Sequence, residues 1–261
     1  MPFDFSASSI TALKYAKNFC KKSSYEMSVV HVVNEESVIE QKTLEVNESV
    51  NTIMDGKQVP IHVIAGDITT DISSLAKELN SKLIIIGTHV NSSKGISHLF
   101  GSHTMKVIIS THIPFIVVHP ETAVKSIENY LLLFDESIES LECVPISKEI
   151  AQYFDAKIHI VSEEHSEKSK RRKVLANTNA IKHYLEDYCT LSTEKILNIE
   201  GSRVNTILEY SSSISADIIA CTYDSDRFFP ANEKFINGLI FNKDNTPILV
   251  MNSKSMTIAY S

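Results

Sequence analysis

A glycine-bearing loop in the first half of the chain has residue types suited to holding a phosphate. The apolar run Leu83–Ile86 leads into Gly87, and Gly101 and Ser102 stand where a helix over 102–110 is predicted. Backbone N–H groups in a strand-to-helix loop, together with the helix N-terminus, can bind an anion. Gly87 would let the chain turn off the strand, while Gly101 and Ser102 would offer an open amide and a hydroxyl. An ordinary loop with Ser102 as a helix cap fits the same residues.

Other reactive groupings are weaker. Asp4 and Asp135 lie at predicted strand ends, where each could be a catalytic acid or a cap for the following helix. His89, His98 and His103 surround the loop but lack the close, regular spacing of metal ligands. Neither a GxSxG elbow nor a GxxxxGK[ST] loop occurs. The residues predict no metal site and no catalytic residue.

The chain contains an internal repeat, because landmarks recur in the same order at an offset of about 130 residues. Each half has an Asp-x-Ser turn, a strand containing a histidine, a glycine-led helix before an apolar strand, and a closing strand that follows a proline. The pairs are Asp4–Ser6 with Asp135–Ser137, Val29–Glu36 with Lys157–Glu164, Gly66–Ile86 with Gly201–Cys221, and Ile113–Val118 with Thr246–Met251.

Apolar runs alternate with amphipathic stretches within each repeat. The runs Leu83–Ile86 and Phe115–Val118 lack polar alternation, which is typical of parallel strands covered on both faces. Helices are predicted over 36–54, 67–79 and 166–188. The pattern predicts an α/β fold of two tandem doubly wound parallel sheets, with domains 1–122 and 128–261.

Composition favours an ordinary globular protein. The net charge is −7, and neither half has a dominant basic stripe, so we expect no nucleic-acid partner. The basic cluster Lys168–Lys173 follows several glutamates and is interpreted as the solvated first turn of a helix. No apolar run is long enough to span a bilayer, and no signal-peptide pattern or cysteine pairing pattern occurs. We therefore expect a cytoplasmic protein without a membrane partner.

The ordered motifs resemble the universal stress protein family. The resemblance is carried by Pro2-Phe3-Asp4-Phe5-Ser6, His31-Val32-Val33, Ile85-Ile86-Gly87-Thr88-His89, Gly101-Ser102 and Pro114-Phe115-Ile116-Val117-Val118. It covers the first repeat and, more loosely, the second. It implies an adenine nucleotide alpha hydrolase-like fold, with a five-stranded parallel sheet of order 3-2-1-4-5 in each repeat.

The resemblance also implies an ATP or AMP site, with Mg, in the first repeat. Phe3, Asp4 and Val32 would lie by the adenine and ribose. The phosphates would be lined by residues of the loop and of the following helix: Gly87, His89, Val90, Gly101, Ser102, His103 and Thr104.

The chain departs from the family's G-x2-G-x9-G-[ST] pattern at two points. Val90 replaces the second glycine, and ten residues instead of nine separate it from Gly101. A branched side chain disfavours the positive φ that a glycine would allow there. In the second repeat Lys234-Phe235 stand in place of Gly101-Ser102, and Asp224 and Asp226 would repel phosphate, so that repeat is expected to bind no ATP.

We expect a stress-response protein in which the two repeats form an internal pseudo-dimer. The sequence is also compatible with a homo-oligomer and with an unidentified protein partner. The resemblance allows at most incidental ATP hydrolysis, so the protein is not expected to be an enzyme. The alternative is an interaction scaffold that binds no nucleotide. Because only Met1 precedes Pro2, the first strand should be very short, or the chain start trimmed.

Overall fold

The computed structural model describes residues 1–88, 101–224 and 229–253, without the side chains of residues 101–104 and 229–232. The described chain forms two compact units. The first comprises Met1–Ser126 with Asn245–Pro247, and the second takes up the chain at Ile127.

The second unit has a complete parallel sheet. Its strands are β5 (Asn129–Leu133), β6 (Lys157–Glu163), β7 (Thr190–Leu197), β8 (Ile218–Tyr223) and β9 (Ile248–Asn252). They lie in the order β7-β6-β5-β8-β9, which is the order 3-2-1-4-5 within the repeat. The strand order reverses beside β5, so the carboxyl ends of β5 and β8 form the crevice where ligands bind in doubly wound sheets.

The first unit has two parallel strand pairs. The strands β1 (Val29–Val33) and β2 (Ile61–Ala65) pair with each other, as do β3 (Ile84–Gly87) and β4 (Phe115–Val118). The expected first strand is a single bridge between Pro2 and Val30. The expected five-stranded sheet is therefore not formed by the described residues of this unit. Met1 and Phe3 make the bonds to Val30, and Pro2 has no N–H to offer a strand on its other side.

Helices cover the strands in both units. They are α1 (Ala7–Lys22), α2 (Ile39–Ile53), α3 (Ile68–Glu78), α4 (Gly101–Ile109), α5 (Val144–Phe154), α6 (Lys168–Leu185), α7 (Arg203–Ser213) and α8 (Phe229–Ile240). The predicted helices over 36–54, 67–79, 102–110 and 166–188 are confirmed to within a few residues. No helix in the described ranges is long and apolar enough to cross a membrane.

The basic cluster forms the first turns of α6, as predicted. Lys168, Arg171, Arg172 and Lys173 are exposed, and Lys170 pairs with Glu136 at 3.2 Å. A helix N-terminus disfavours cations, so this helix is stabilised chiefly by its buried face, which carries Val174, Thr178, Ile181 and Leu185.

The two repeats share one turn in hydrogen-bond detail. In the first, Asp4 Oδ1 accepts from the Ser6 backbone N–H at 3.1 Å, and Ser6 Oγ accepts from the Ser9 N–H at 3.1 Å. In the second, Asp135 Oδ1 accepts from the Ser137 N–H at 2.7 Å, and Ser137 Oγ accepts from the Ser140 N–H at 3.2 Å. Helix α1 begins directly after this turn, whereas a 3-10 turn over Glu139–Leu141 precedes α5.

The histidine of β6 links several elements of the second unit. His159 is 5% exposed, and its Nδ1 lies 2.7 Å from Thr193 Oγ1 on β7, while its Nε2 lies 3.3 Å from Asn129 Oδ1 on β5. Thr193 Oγ1 lies 3.0 Å from the Tyr210 hydroxyl on α7. A neutral ring that donates through Nε2 and accepts through Nδ1 satisfies every group in this network.

Stability should depend on pH through His159. Burial, and to a smaller extent the nearby Lys157 ammonium, lower its pKa from the usual 6.5. The unfolded chain therefore binds the proton more readily, so the stabilisation is complete above pH 6.5 and declines as the pH falls below it. Urea unfolding between pH 8 and about pH 5 should show a steeper decline for the wild type than for His159→Gln. Parallel pH profiles would contradict this assignment.

Candidate functional site

Residues 3–9 connect the two strand pairs of the first unit at one edge. Phe3 N–H donates to the Val30 carbonyl at 2.8 Å, which ties the start of this segment to β1. Its end lies against β3, because the backbone of Ser8 and Ser9 packs beside Gly87. The segment therefore brings Phe3 and Asp4 to the carboxyl ends of β1 and β3, which also carry Val32 and Gly87.

Asp4 is engaged in the turn that starts α1. Its Oδ1 accepts from Ser6 Oγ at 2.5 Å as well as from the Ser6 N–H, and Ser6 is the N-cap residue of α1. The sequence allowed Asp4 to be the cap of the following helix. In the structure Ser6 is the cap, and Asp4 orients it. Asp4 itself is exposed.

Gly87 is required by helix packing. A Cβ on Gly87 would lie 2.4 Å from the Ser8 carbonyl carbon and 2.8 Å from the Ser9 nitrogen, distances that real Cβ atoms do not show. The sequence led us to expect that Gly87 permits a sharp turn. Its φ is not positive, so close packing and not a turn requires glycine here. The absent side chain lets the N-terminus of α1 approach the end of β3.

Phe3, Phe5 and Val32 contribute differently to the edge. Phe3 is 2% exposed and belongs to the core cluster, and its backbone N–H and carbonyl are bonded to Val30 and His31. Val32 is half-buried at the end of β1. Phe5 adopts a φ of 64°, and Lys42 Nζ lies 5.6 Å from its ring centroid. Lys42 also bonds Glu45 at 2.5 Å, which lowers the pKa of that carboxyl.

On the loop side of the site, the structure describes only α4, the helix that follows the loop. Gly101, Ser102, His103 and Thr104 form the first turn of α4, while the predicted residues His89 and Val90 lie outside the described residues. Because β3 and β4 are parallel, α4 runs back between them and begins at the carboxyl edge. At its other end Ser110 Oγ donates to the Val107 and Thr69 carbonyls at 2.7 and 3.3 Å, which anchors α4 to α3.

An orphaned polar atom lies at this edge. Thr88 is fully buried, and its Oγ1 has no hydrogen-bond partner among the described residues. Its backbone N–H donates to the Val118 carbonyl at 2.9 Å, so its position beside Gly87 is fixed. Buried hydroxyls are usually satisfied, so this one marks a place where a polar group is needed.

Gly87→Ala should destabilise the first unit. The added methyl meets backbone atoms, which cannot rotate away, so we expect a loss of about 3 kcal/mol, at the upper end for overpacking. Thr222→Ala is the matched control, because Thr222 stands at the equivalent position and bonds the Ser140 carbonyl weakly at 3.4 Å. Urea unfolding of both variants tests this, and equal losses would contradict the packing argument.

The equivalent edge of the second unit is filled by its own side chains. Arg203, the first residue of α7, pairs through Nε with Glu163 Oε1 at the end of β6. The Arg203 guanidinium also stacks 4.0 Å from the centroid of the Phe235 ring. Phe235 aligns with Ser102 by sequence offset, but it lies in the second turn of α8, whereas Ser102 lies in the first turn of α4. Two cavities of about 40 and 50 Å³ are lined by these side chains together with Asp135 and Thr222.

These two cavities, as lined by the described residues, are much smaller than an ordinary ligand pocket. Ligand pockets are commonly about 300–1,000 Å³, whereas a cavity of tens of Å³ holds about one or two waters. The local charge is also unfavourable, since burial and the neighbouring carboxylates of Glu233 and Asp224 raise the pKa of Tyr223. Asp224 lies at this edge, as expected from the sequence, and Asp226 lies outside the described residues. The contact of Arg203 with Glu163 and Phe235 carried no signal in the sequence.

Arg203 and Phe235 should be energetically coupled. The decrease in the free energy of unfolding when both partners are removed should be smaller than the sum of the two single decreases. The difference should be about 0.5–2 kcal/mol, the value for a cation over an aromatic ring. The measurement is a double-mutant cycle of Arg203→Ala and Phe235→Ala followed by urea unfolding. Additive effects would show that the contact contributes nothing.

Among the described residues, no three His, Cys, Asp or Glu side chains lie together in a way that could hold a metal ion. All four cysteines are free. Burial raises the pKa of the Cys143 thiol to about 11, and it also raises that of Cys221. These two thiols therefore stay protonated and unreactive near neutral pH.

The fold and the edge geometry define a class of protein with two tandem doubly wound α/β units. A universal stress protein from Archaeoglobus fulgidus DSM 4304 is similar over 96% of this chain and 96% of its own, with 18% identity and a TM-score of 0.74. A protein from Pseudomonas aeruginosa UCBPP-PA14 that carries the same family name matches over 93% and 88%, with 12% identity and a TM-score of 0.63. A functionally unknown protein from Pseudomonas aeruginosa PAO1 matches over 97% and 91%, with 12% identity and a TM-score of 0.64.

Residues 1–119 match the universal stress protein family. The comparison with curated proteins gave no match. The family match covers the first repeat, and the second repeat shares the fold of the similar solved structures. The resemblance stated from the sequence motifs is confirmed.

Proposed function

We propose that this chain is a cytosolic stress-response protein that binds ATP or AMP, with Mg, at the first repeat alone. The observation that carries the proposal is the edge of the first unit, where residues 3–9 bring Asp4 and Val32 to the same side as the end of β3. The N-terminus of α4 begins at that edge by topology, and its positive dipole favours phosphate.

The residues at this edge fit a nucleotide by chemistry. Val32 would lie against the base, Phe3 would support the turn behind it, and Asp4 would accept hydrogen bonds from ribose hydroxyls. The N–H groups of Gly101 and Ser102 would donate to phosphate oxygens. The unsatisfied Thr88 hydroxyl supports a polar ligand or water on that side. No described group is set up as a nucleophile, so we propose binding without turnover beyond slow hydrolysis.

A scaffold that binds no nucleotide is the competing function. It is favoured by the closure of the second repeat by Arg203 and Phe235, and by Val90 in the phosphate loop. A scaffold would use its surfaces to contact a protein partner, and the first-repeat edge would then be as inert as the second.

The proposed function predicts a nucleotide-dependent rise in the melting temperature. Mg-ATP or AMP should stabilise the wild type, since a ligand that binds only the folded state raises stability. Gly101→Val should raise the Kd at least about tenfold, equivalent to 1.4 kcal/mol, because the branched side chain obstructs the first amides of α4. Thermal shift and isothermal titration measure both.

Lys234→Val is the matched control, because Lys234 holds the equivalent position in the second repeat and is exposed. It should leave the Kd unchanged. Acid denaturation of purified protein should also release adenine nucleotide, detectable by chromatography. Bare protein without any thermal shift would overturn nucleotide binding and leave the scaffold.

A further inference from the structure

The loop that carries Phe3 and Asp4 has little strand to support it. In the second unit the corresponding loop follows β5, which pairs along its length with β6 and over three residues with β8. In the first unit the only ladder contact is the bridge from Pro2 to Val30. Something other than a sheet must therefore hold the loop in place within the described residues.

His31 provides that support. It lies on β1, is 8% exposed, and its Nδ1 is 2.7 Å from the Phe3 carbonyl oxygen. A carbonyl only accepts, so Nδ1 carries the proton whether the ring is neutral or charged. The same ring meets Phe5 edge-on at 5.3 Å between centroids. The residues on both sides of Asp4 are thus held by one imidazole.

The histidine at the equivalent position shows that this bond is not a requirement of the fold. His159 also lies on the second strand of its repeat, but its two nitrogens meet Thr193 and Asn129 on neighbouring strands. Both ring nitrogens are thus engaged by groups other than Phe134, which corresponds to Phe3. Both repeats therefore have a histidine at this position, but the histidine bonds different groups in each.

We propose that His31 is the positioning residue for the base of the nucleotide in the first repeat. By fixing the Phe3 carbonyl, it sets the Phe3–Asp4 turn beside Val32, where the adenine would be recognised. His31 acts through the turn and does not touch the ligand. This inference rests on the proposed nucleotide-binding function, and it assigns base selectivity to one hydrogen bond.

The test compares two variants and two nucleotides by isothermal titration. His31→Leu removes the donor, so the Kd for ATP should rise about tenfold, which corresponds to about 1.4 kcal/mol. The Kd for GTP should change by no more than about twofold, because the phosphates of GTP still meet α4. A tenfold change in Kd corresponds to about 1.4 kcal/mol, so a twofold change is a small part of that. His31→Asn should restore the ATP affinity, since its amide nitrogen lies close to where Nδ1 stands. Should His31→Leu fail to fold, His31→Gln, whose amide lies one bond further out, replaces it.

His159→Leu is the control for a merely structural effect. It should lower the melting temperature without changing either Kd. Equal weakening of ATP and GTP in His31→Leu, or failure of His31→Asn to restore ATP binding, would overturn the positioning role. Unchanged ATP affinity in His31→Leu would do so as well, while leaving nucleotide binding intact. A wild type that binds neither nucleotide, or binds both equally, would overturn the inference, and the first of these results would remove the proposed function too.

Discussion

The first unit depends on the close approach of α1 to the end of β3. The pairs β1–β2 and β3–β4 are not hydrogen-bonded to each other in the described part of this unit, because the strand expected between them is one bridge at Pro2. The connection is made instead by residues 3–9, which bond to β1 at Phe3 and press against β3 at Gly87. Backbone packing at 2.4 Å from a notional Cβ leaves no tolerance for a side chain.

The two edges have diverged by different physical means. The first retains small residues and an exposed carboxylate, Asp4, whereas the second has introduced a long cation and a ring that occupy the crevice. An ion pair and a stacked aromatic satisfy one another, so Arg203 and Phe235 need no ligand to complete the packing.

The sequence predicted the order and limits of most elements, because apolar runs such as Phe115–Val118 and the periodic helix over 67–79 report burial directly. It predicted Gly87 and Asp4 at the edge but not their roles, which depend on how α1 meets β3. It gave no sign that Arg203 reaches Glu163 and Phe235, since those residues are far apart along the chain. The shared position of His31 and His159 was visible, but their different partners are set by tertiary contacts.

The Asp-x-Ser turn keeps the same hydrogen bonds in both repeats although the crevices beside it have separated. One carboxylate oxygen and the serine hydroxyl bond within the turn itself, so the turn forms independently of what lies in the crevice. A duplicated domain built this way can change the side chains of its crevice while the turn beside it keeps its hydrogen bonds. The turn is thus the feature that both repeats still form in the same way.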